Sequence, residues 1–243
     1  MLLSKMIIAE ILSYKADIIC LQEVDASIHN SLLSPVLKAN GYQGFYSNKV
    51  TTQLEGCSMF WSTALFEMAK TDDMKEFPLR SLLTTDTAAL DVSEYYNAKS
   101  TVHDLELERW ESMNGIRQLL ETHDELRRVY SESVGQILQV VRLSPKLSTL
   151  SETQSGSMPI SIVVANTHLF YHPMAGHIRL LQAYAVCHKL DQIRRQDPER
   201  PVPLLICGDF NSDPLSGEFE EMCVLPIIVQ YIIINTSHNN PFL

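Results

Sequence analysis

The amino-acid sequence predicts an α/β fold in which two sheets pack as a sandwich flanked by helices. Two observations carry this expectation. Apolar runs of strand length, rich in Ile and Val, recur along the chain and end in Gly or polar residues, as Val202-Pro203-Leu204-Leu205-Ile206-Cys207 does before Gly208. Between such runs lie both hairpin-like links and segments whose apolar residues recur at helical spacing. A chain of that make-up buries its sheets and helices against one another in layers.

The elements follow in order. Leu3, Met6, Ile7, Ile11 and Leu12 fall at helical spacing and predict a helix over residues 2–14, with a strand running to Glu23 after it. Ser27–Ala39 reads as a helix despite Pro35, with Gly41 as its stop. Strands are expected near Gly44–Ser47 and Cys57–Trp61, the second leading into Thr63–Lys70. Glu94–Glu132 is rich in Glu, Leu and Arg, poor in Gly and Pro, and helical in period; its charges read as a solvated face. Gly135–Leu143 reads as a strand and Ser144–Pro159 as a loop rich in Ser and Thr. A strand into His168, a helix from about Gly176 to Gln196 and a strand into Asp209 complete the pass. No internal repeat is visible.

Three of the strand-like runs deliver chemistry at their ends. Gly208-Asp209-Phe210-Asn211 places an acid and an amide two residues apart, on one side of the chain if the extended geometry persists through Asn211. A carboxylate beside a neutral amide can bind a hard cation or polarise a water without accumulating negative charge. Ala16-Asp17-Ile18-Ile19-Cys20-Leu21-Gln22-Glu23 ends in a carboxylate that must be solvated, paired or metal-bound. Ile160–Leu169 delivers His168 and is followed by Phe170-Tyr171-His172-Pro173. Each feature alone has an ordinary structural reading: an Asx turn, a surface acid, a hydrogen-bonded histidine, a packed loop.

Taken together, Leu21-Gln22-Glu23-Val24-Asp25, Asn166-Thr167-His168-Leu169 and Gly208-Asp209-Phe210-Asn211-Ser212 resemble the endonuclease/exonuclease/phosphatase superfamily of metal-dependent phosphodiesterases. Tyr14–Cys20, Glu55-Gly56-Cys57, Tyr171-His172-Pro173 and Gly176–Leu180 resemble its branch of mitochondrial 2′-phosphodiesterases, relatives of the Ccr4-type deadenylases. The resemblance implies the superfamily's two-sheet α/β sandwich and a Mg²⁺ cofactor. Glu23, Asp209 and Asn211 would be its metal ligands. Asp209, His168 and Asn211 would be catalytic: Asp209 on the attacking water, His168 on a non-bridging phosphate oxygen, Asn211 on the phosphate or metal shell. Tyr171 and His172 would lie beside the substrate base, where an aromatic face can stack. The implied activity is a phosphodiesterase or 3′-exoribonuclease acting on adenylate-rich RNA, either poly(A) or 2′,5′-oligoadenylate. The alternatives are a cytoplasmic Ccr4-type deadenylase and a catalytically inactive remnant.

The family's first core strand, with a metal-holding Asn, lies upstream of the helix that opens this chain, and its closing Ser-Asp-His segment does not occur here. The expectation is therefore an incomplete domain over residues 1–222, truncated at both ends, followed by a divergent apolar tail over 223–243. His238 is not assigned to the missing histidine.

At 243 residues, with 45% hydrophobic and 20% charged residues, the composition is that of one globular α/β domain. A net charge of −10 argues against a broad electrostatic grip on a nucleic-acid backbone. It leaves room for a short RNA or oligoadenylate held chiefly at the metal, and no stable protein partner is expected. The five cysteines, at 20, 57, 187, 207 and 223, sit mostly inside apolar runs and read as reduced thiols. No Cys/His pair has zinc-ligand spacing. The 226–234 run is far shorter than the roughly 20 residues a membrane span needs, so no membrane association is expected. The resemblance implies the mitochondrial matrix, with the cytoplasm as the alternative.

Overall fold

The computed structural model describes residues 2–50, 54–68, 73–84, 115–146, 161–194 and 202–213. Its strands form two sheets. β1 (Ile18–Asp25), β2 (Tyr42–Asn48) and β3 (Glu55–Ser62) make an antiparallel sheet in the order β1-β3-β2. β4 (Phe66–Glu67), β6 (Ile137–Pro145), β7 (Ile162–His168) and β8 (Leu204–Asp209) form the second in that order, and β5 (Met74–Pro78) also pairs with β6. β6 and β7 run antiparallel; β7 and β8 run parallel, joined by the helix Gly176–Arg194, as a parallel pair requires a crossover.

Side-chain alternation divides each strand between two cores. Met59 and Trp61 of β3 meet Val141, Leu143 and Val164 between the sheets, all with 0% exposure. The other face of the three-stranded sheet, through Ile19 and Phe60, packs on Ile8 and Ile11 of the helix Leu2–Ser13 and on Leu33 and Leu37 of the helical stretch 26–39. Val163, Ala165 and Ile206 face Ile178, Val186 and Leu190 of the long helix. The layers are helices, sheet, sheet, helix, as expected.

Several details differ from the sequence expectation. In the first helix Met6 is exposed and Ile8 is buried instead. Pro35 is accommodated because the stretch 26–39 is interrupted by a π turn, His29–Leu33, before the proline. Asp25 caps this stretch, its Oδ1 accepting from Ser27 N at 2.7 Å and Ile28 N at 3.3 Å. β4 and β5 were not foreseen. Residues 115–122, Asp124–Arg128 and Val129–Ser133 are helical, in keeping with the expected period; 85–114 lie outside the described residues, as do 147–160 and the tail 223–243. Cys20, Cys57, Cys187 and Cys207 form no disulfide among the described residues. No helix among the described residues is long and apolar enough to cross a membrane.

Candidate active site

Strand parity alone would point Glu23 at the apolar helix-facing side of its sheet, with Ile19 and Leu21, where an unpaired carboxylate is costly. The register prevents this. Leu21 pairs with Ser58, but Val24 pairs with Gly56, so one extra residue bulges from β1 between them. Val24 takes the buried apolar position, and Glu23 adopts a left-handed backbone, φ 55°, with its side chain exposed. A non-glycine residue held there is strained, and such strain gathers at functional sites.

His168 closes β7 at 3% exposure and pairs across the parallel ladder with Asp209. The two strands can lie this close because Gly208 has no side chain: a Cβ there would strike the carbonyl oxygen of Thr167. The extended geometry does not persist to Asn211, whose φ is 48°. The chain closes an Asx turn instead, Asn211 N donating to Asp209 Oδ1 at 2.9 Å, because this short acid can accept from the backbone two residues on. The turn brings Asn211 Nδ2 to 2.9 Å from both the Leu169 carbonyl and His168 Nε2. An amide donating to Nε2 leaves the imidazole proton on Nδ1, which is buried and has no partner among the described residues. Burial, the largest cause, holds His168 below the usual histidine range. Lys49 acts in the same direction, while Asp209, Glu23 and Glu55 oppose it. The ring is neutral at pH 7, and both proposed carboxylate ligands lie within its electrostatic reach.

A cavity of about 430 Å³ opens at this end of the sandwich, and Glu23, His168, Tyr171 and His172 all line it. Asp209 and Asn211 are not in its lining; they join the others through His168. Tyr171 is 72% exposed and so is not packed in its loop, whereas Phe170 packs on the core beside the long helix. That helix braces the loop. Gln182 Oε1 accepts from Phe170 N at 2.8 Å and its Nε2 donates to Gln136 Oε1 at 3.2 Å, while Arg179 Nη1 donates to the His172 carbonyl at 2.8 Å.

Sequence reasoning missed Lys49 and quoted Glu55 only within Glu55-Gly56-Cys57, not as a site residue; both line the cavity and form an ion pair at 2.6 Å. The Lys49 side chain is 9% exposed. Asn48 pairs with Gly56, so residues 49 and 55 face each other at the mouth of the β2–β3 hairpin, and that symmetry was the available signal. Val50 N donates to the Gly135 carbonyl at 2.8 Å, tying this hairpin to the other sheet beneath the cavity.

The oxygens present suit a hard cation. Glu23 makes no hydrogen bond or ion pair among the described residues, and Asp209 Oδ2 and Asn211 Oδ1 accept none. No cluster of three His, Cys, Asp or Glu side chains close enough to hold a metal occurs among those residues. Carboxylate and amide oxygens are the donors a hard cation takes, and among the described residues they do not form a closed cage.

Two packed sheets with an acid, an amide and a histidine gathered at one end define the α/β-sandwich class of folds to which several phosphoester-cleaving enzymes belong. The chain belongs to the Endonuclease/Exonuclease/phosphatase family, whose profile matches residues 3–227. It is 30% identical over 210 residues to mouse (Mus musculus) 2′,5′-phosphodiesterase 12, covering 86% of this chain and 28% of that protein. It is 24% identical over 218 residues to carbon catabolite repressor protein 4 homolog 2 of Arabidopsis thaliana, covering 87% and 30%. The chain thus spans less than a third of the length of these relatives. Among solved structures, ANGEL2, a 2′,3′-cyclic phosphatase, superposes with a TM-score of 0.58 at 22% identity, over 88% of this chain and 45% of that one. That likeness bears on the fold.

Proposed function

We propose that the cavity hydrolyses phosphodiester bonds in adenylate-rich RNA, either poly(A) or 2′,5′-oligoadenylate. The observation that carries this reading is the meeting of Glu23, which has no partner among the described residues, and His168 in one cavity with exposed Tyr171, while Asp209 and Asn211 adjoin His168 outside that lining. Glu23, Asp209 and Asn211 would hold Mg²⁺, which supplies positive charge against the phosphoryl oxygens and lowers the pKa of a bound water. Asp209 has one oxygen fixed by Asn211 N, which leaves the other to orient an attacking water or accept its proton. His168 serves a non-bridging phosphate oxygen, which requires the Asn211 amide to leave Nε2 and the ring to carry a proton there instead of only on Nδ1. Lys49 lies in the wall as a further cation for the phosphate, with Glu55 holding its ammonium group. Tyr171 offers a face for a base, and His172 sits beside it.

The 30% identity to a 2′,5′-phosphodiesterase, against 24% and 27% to Ccr4-type relatives, supports the 2′,5′ linkage. The mitochondrial matrix address rests on the motif resemblance alone and is testable by imaging a tagged chain. The test of the reaction is release of AMP from 2′,5′- and 3′,5′-linked oligoadenylate with and without Mg²⁺. The expected result is Mg²⁺-dependent release, faster on the 2′,5′ linkage and abolished by Asp209→Ala. A second reading, a module that binds RNA without turnover, is favoured by the His168 Nε2 already occupied by Asn211. Tight binding of oligoadenylate with no AMP released would select it.

A further inference from the structure

Directly beneath the cavity the apolar contact between the sheets gives way to a buried chain of amides. Asn166, fully buried on β7 two residues before His168, shares with Val164 the face turned to the other sheet. Its Oδ1 accepts from Gln22 Nε2 at 2.6 Å. Its Nδ2 lies 3.2 Å from the Leu21 carbonyl, 3.2 Å from the Ser58 carbonyl and 3.0 Å from Gln139 Oε1. Gln139, also fully buried, donates onward to Ser47 Oγ at 3.1 Å. One side chain therefore reaches β1, β3 and β6 directly and β2 through Gln139.

The position of these contacts is informative. Leu21 and Ser58 are the last regular pair before the β1 bulge, and Gln22 is the residue between that pair and Glu23. Ser47 lies two residues before Lys49 on β2. Apolar side chains of similar shape could fill this space without loss of stability, since replacing both partners of a hydrogen bond is often near neutral. What they could not do is take hold of the Leu21 carbonyl and Gln22.

We propose that Asn166 is a positioning residue for Glu23: it holds the β1 bulge in the left-handed conformation that turns the Glu23 carboxylate into the cavity. This rests on the reading of Glu23 as a cation ligand. Groups behind the ligands of a metal, which fix their orientation and tune their basicity, typically change its affinity 10- to 100-fold when removed.

The experiment is a calorimetric titration of Mn²⁺ into the purified 243-residue chain without substrate, alongside thermal melts. Wild type, Glu23→Gln, the apolar triple Gln22→Leu/Asn166→Leu/Gln139→Leu and the single Asn166→Asp are compared. Asn166→Asp keeps the shape and the acceptor for Gln22 but loses both N–H donors, and it provides the result if the triple does not melt cooperatively. The expected outcome is Mn²⁺ binding by wild type, its loss in Glu23→Gln, and at least ten-fold weaker binding by a cooperatively melting triple or single variant. Wild-type Mn²⁺ affinity in either folded variant overturns the positioning role while leaving the proposed reaction standing. Equal binding by wild type and Glu23→Gln, or none by wild type, overturns the reading of Glu23 and this inference with it.

Discussion

Gly208→Ala tests how closely the proposed site depends on the β7–β8 ladder. The new Cβ would strike the Thr167 carbonyl oxygen and lie 3.1 Å from its carbonyl carbon and 3.2 Å from a ring carbon of Phe210. Thr167 cannot retreat easily: it is fully buried, and its Oγ1 donates to the Ile137 carbonyl at 2.9 Å. Overpacking of this kind costs about 1–3 kcal/mol. At about 2–4 °C per kcal/mol for a chain of this size, the melting temperature falls by about 2–12 °C. The next pair along the ladder is His168 with Asp209, and Leu169 N bonds the Asp209 carbonyl at 2.9 Å, so the separation spreads first into the site and AMP release should fall as well. Gly115→Ala is the control, because no atom lies within 4 Å of its Cβ and it sits in a helical stretch where alanine gains about 0.5–1 kcal/mol. Thermal melts and urea titrations of both variants decide the matter. Equal melting temperatures for Gly208→Ala and Gly115→Ala would refute the reasoning.

Leu143→Ala removes a fully buried side chain between the sheets, beside Met59 and Trp61, and should cost about 2–5 kcal/mol in urea unfolding; less than 1 kcal/mol would show the two sheets are not held by this core. His29 is buried against Tyr46 and Phe60, with Ser58 Oγ 2.9 Å from its Nδ1, and burial lowers its pKa. The unfolded chain then takes up this proton at a higher pH than the folded one. Its stabilising share is present above the unfolded value of about 6.5 and is lost as pH falls through the lower folded value. Unfolding free energies measured from pH 7.5 to 5 should therefore decline less steeply in His29→Gln than in wild type; an equal slope contradicts it. Tyr171→Ala should weaken oligoadenylate binding by about 1–3 kcal/mol in a fluorescence titration, the usual worth of one stacked base, and unchanged affinity would remove the stacking role.

The sandwich and the strands ending at His168 and Asp209 were legible because a strand covered on both faces must be almost continuously apolar until it emerges. The runs into Val164 and Ile206 show this directly. Glu23 could be named from its run, but not the bulge that aims it, since a register shift depends on the partner strand β3 and leaves no mark in β1 itself. The same holds for the Asx turn: two-residue spacing said that Asp209 and Asn211 would be neighbours, while the backbone at Asn211 decided how. β5 was hidden because Met74-Lys75-Glu76 is exposed and reads as solvated chain. Glu55 was visible only as part of Glu55-Gly56-Cys57 and Lys49 not at all, because their joint place in the cavity wall required the other sheet to close over them. Gln22 and Asn166 were legible only as parts of the motifs that hold Glu23 and His168, and Gln139 only as part of the Gly135–Leu143 strand; bringing the three amides together took the packing of the sheets.

The direct test of this site is an anomalous difference map from crystals of the chain soaked in Mn²⁺. A single strong peak in the cavity, within bonding distance of Glu23 and facing Asp209 and Asn211, is the predicted result. A peak held by other residues, or an unliganded Glu23 in a crystal that binds Mn²⁺ elsewhere, would contradict it.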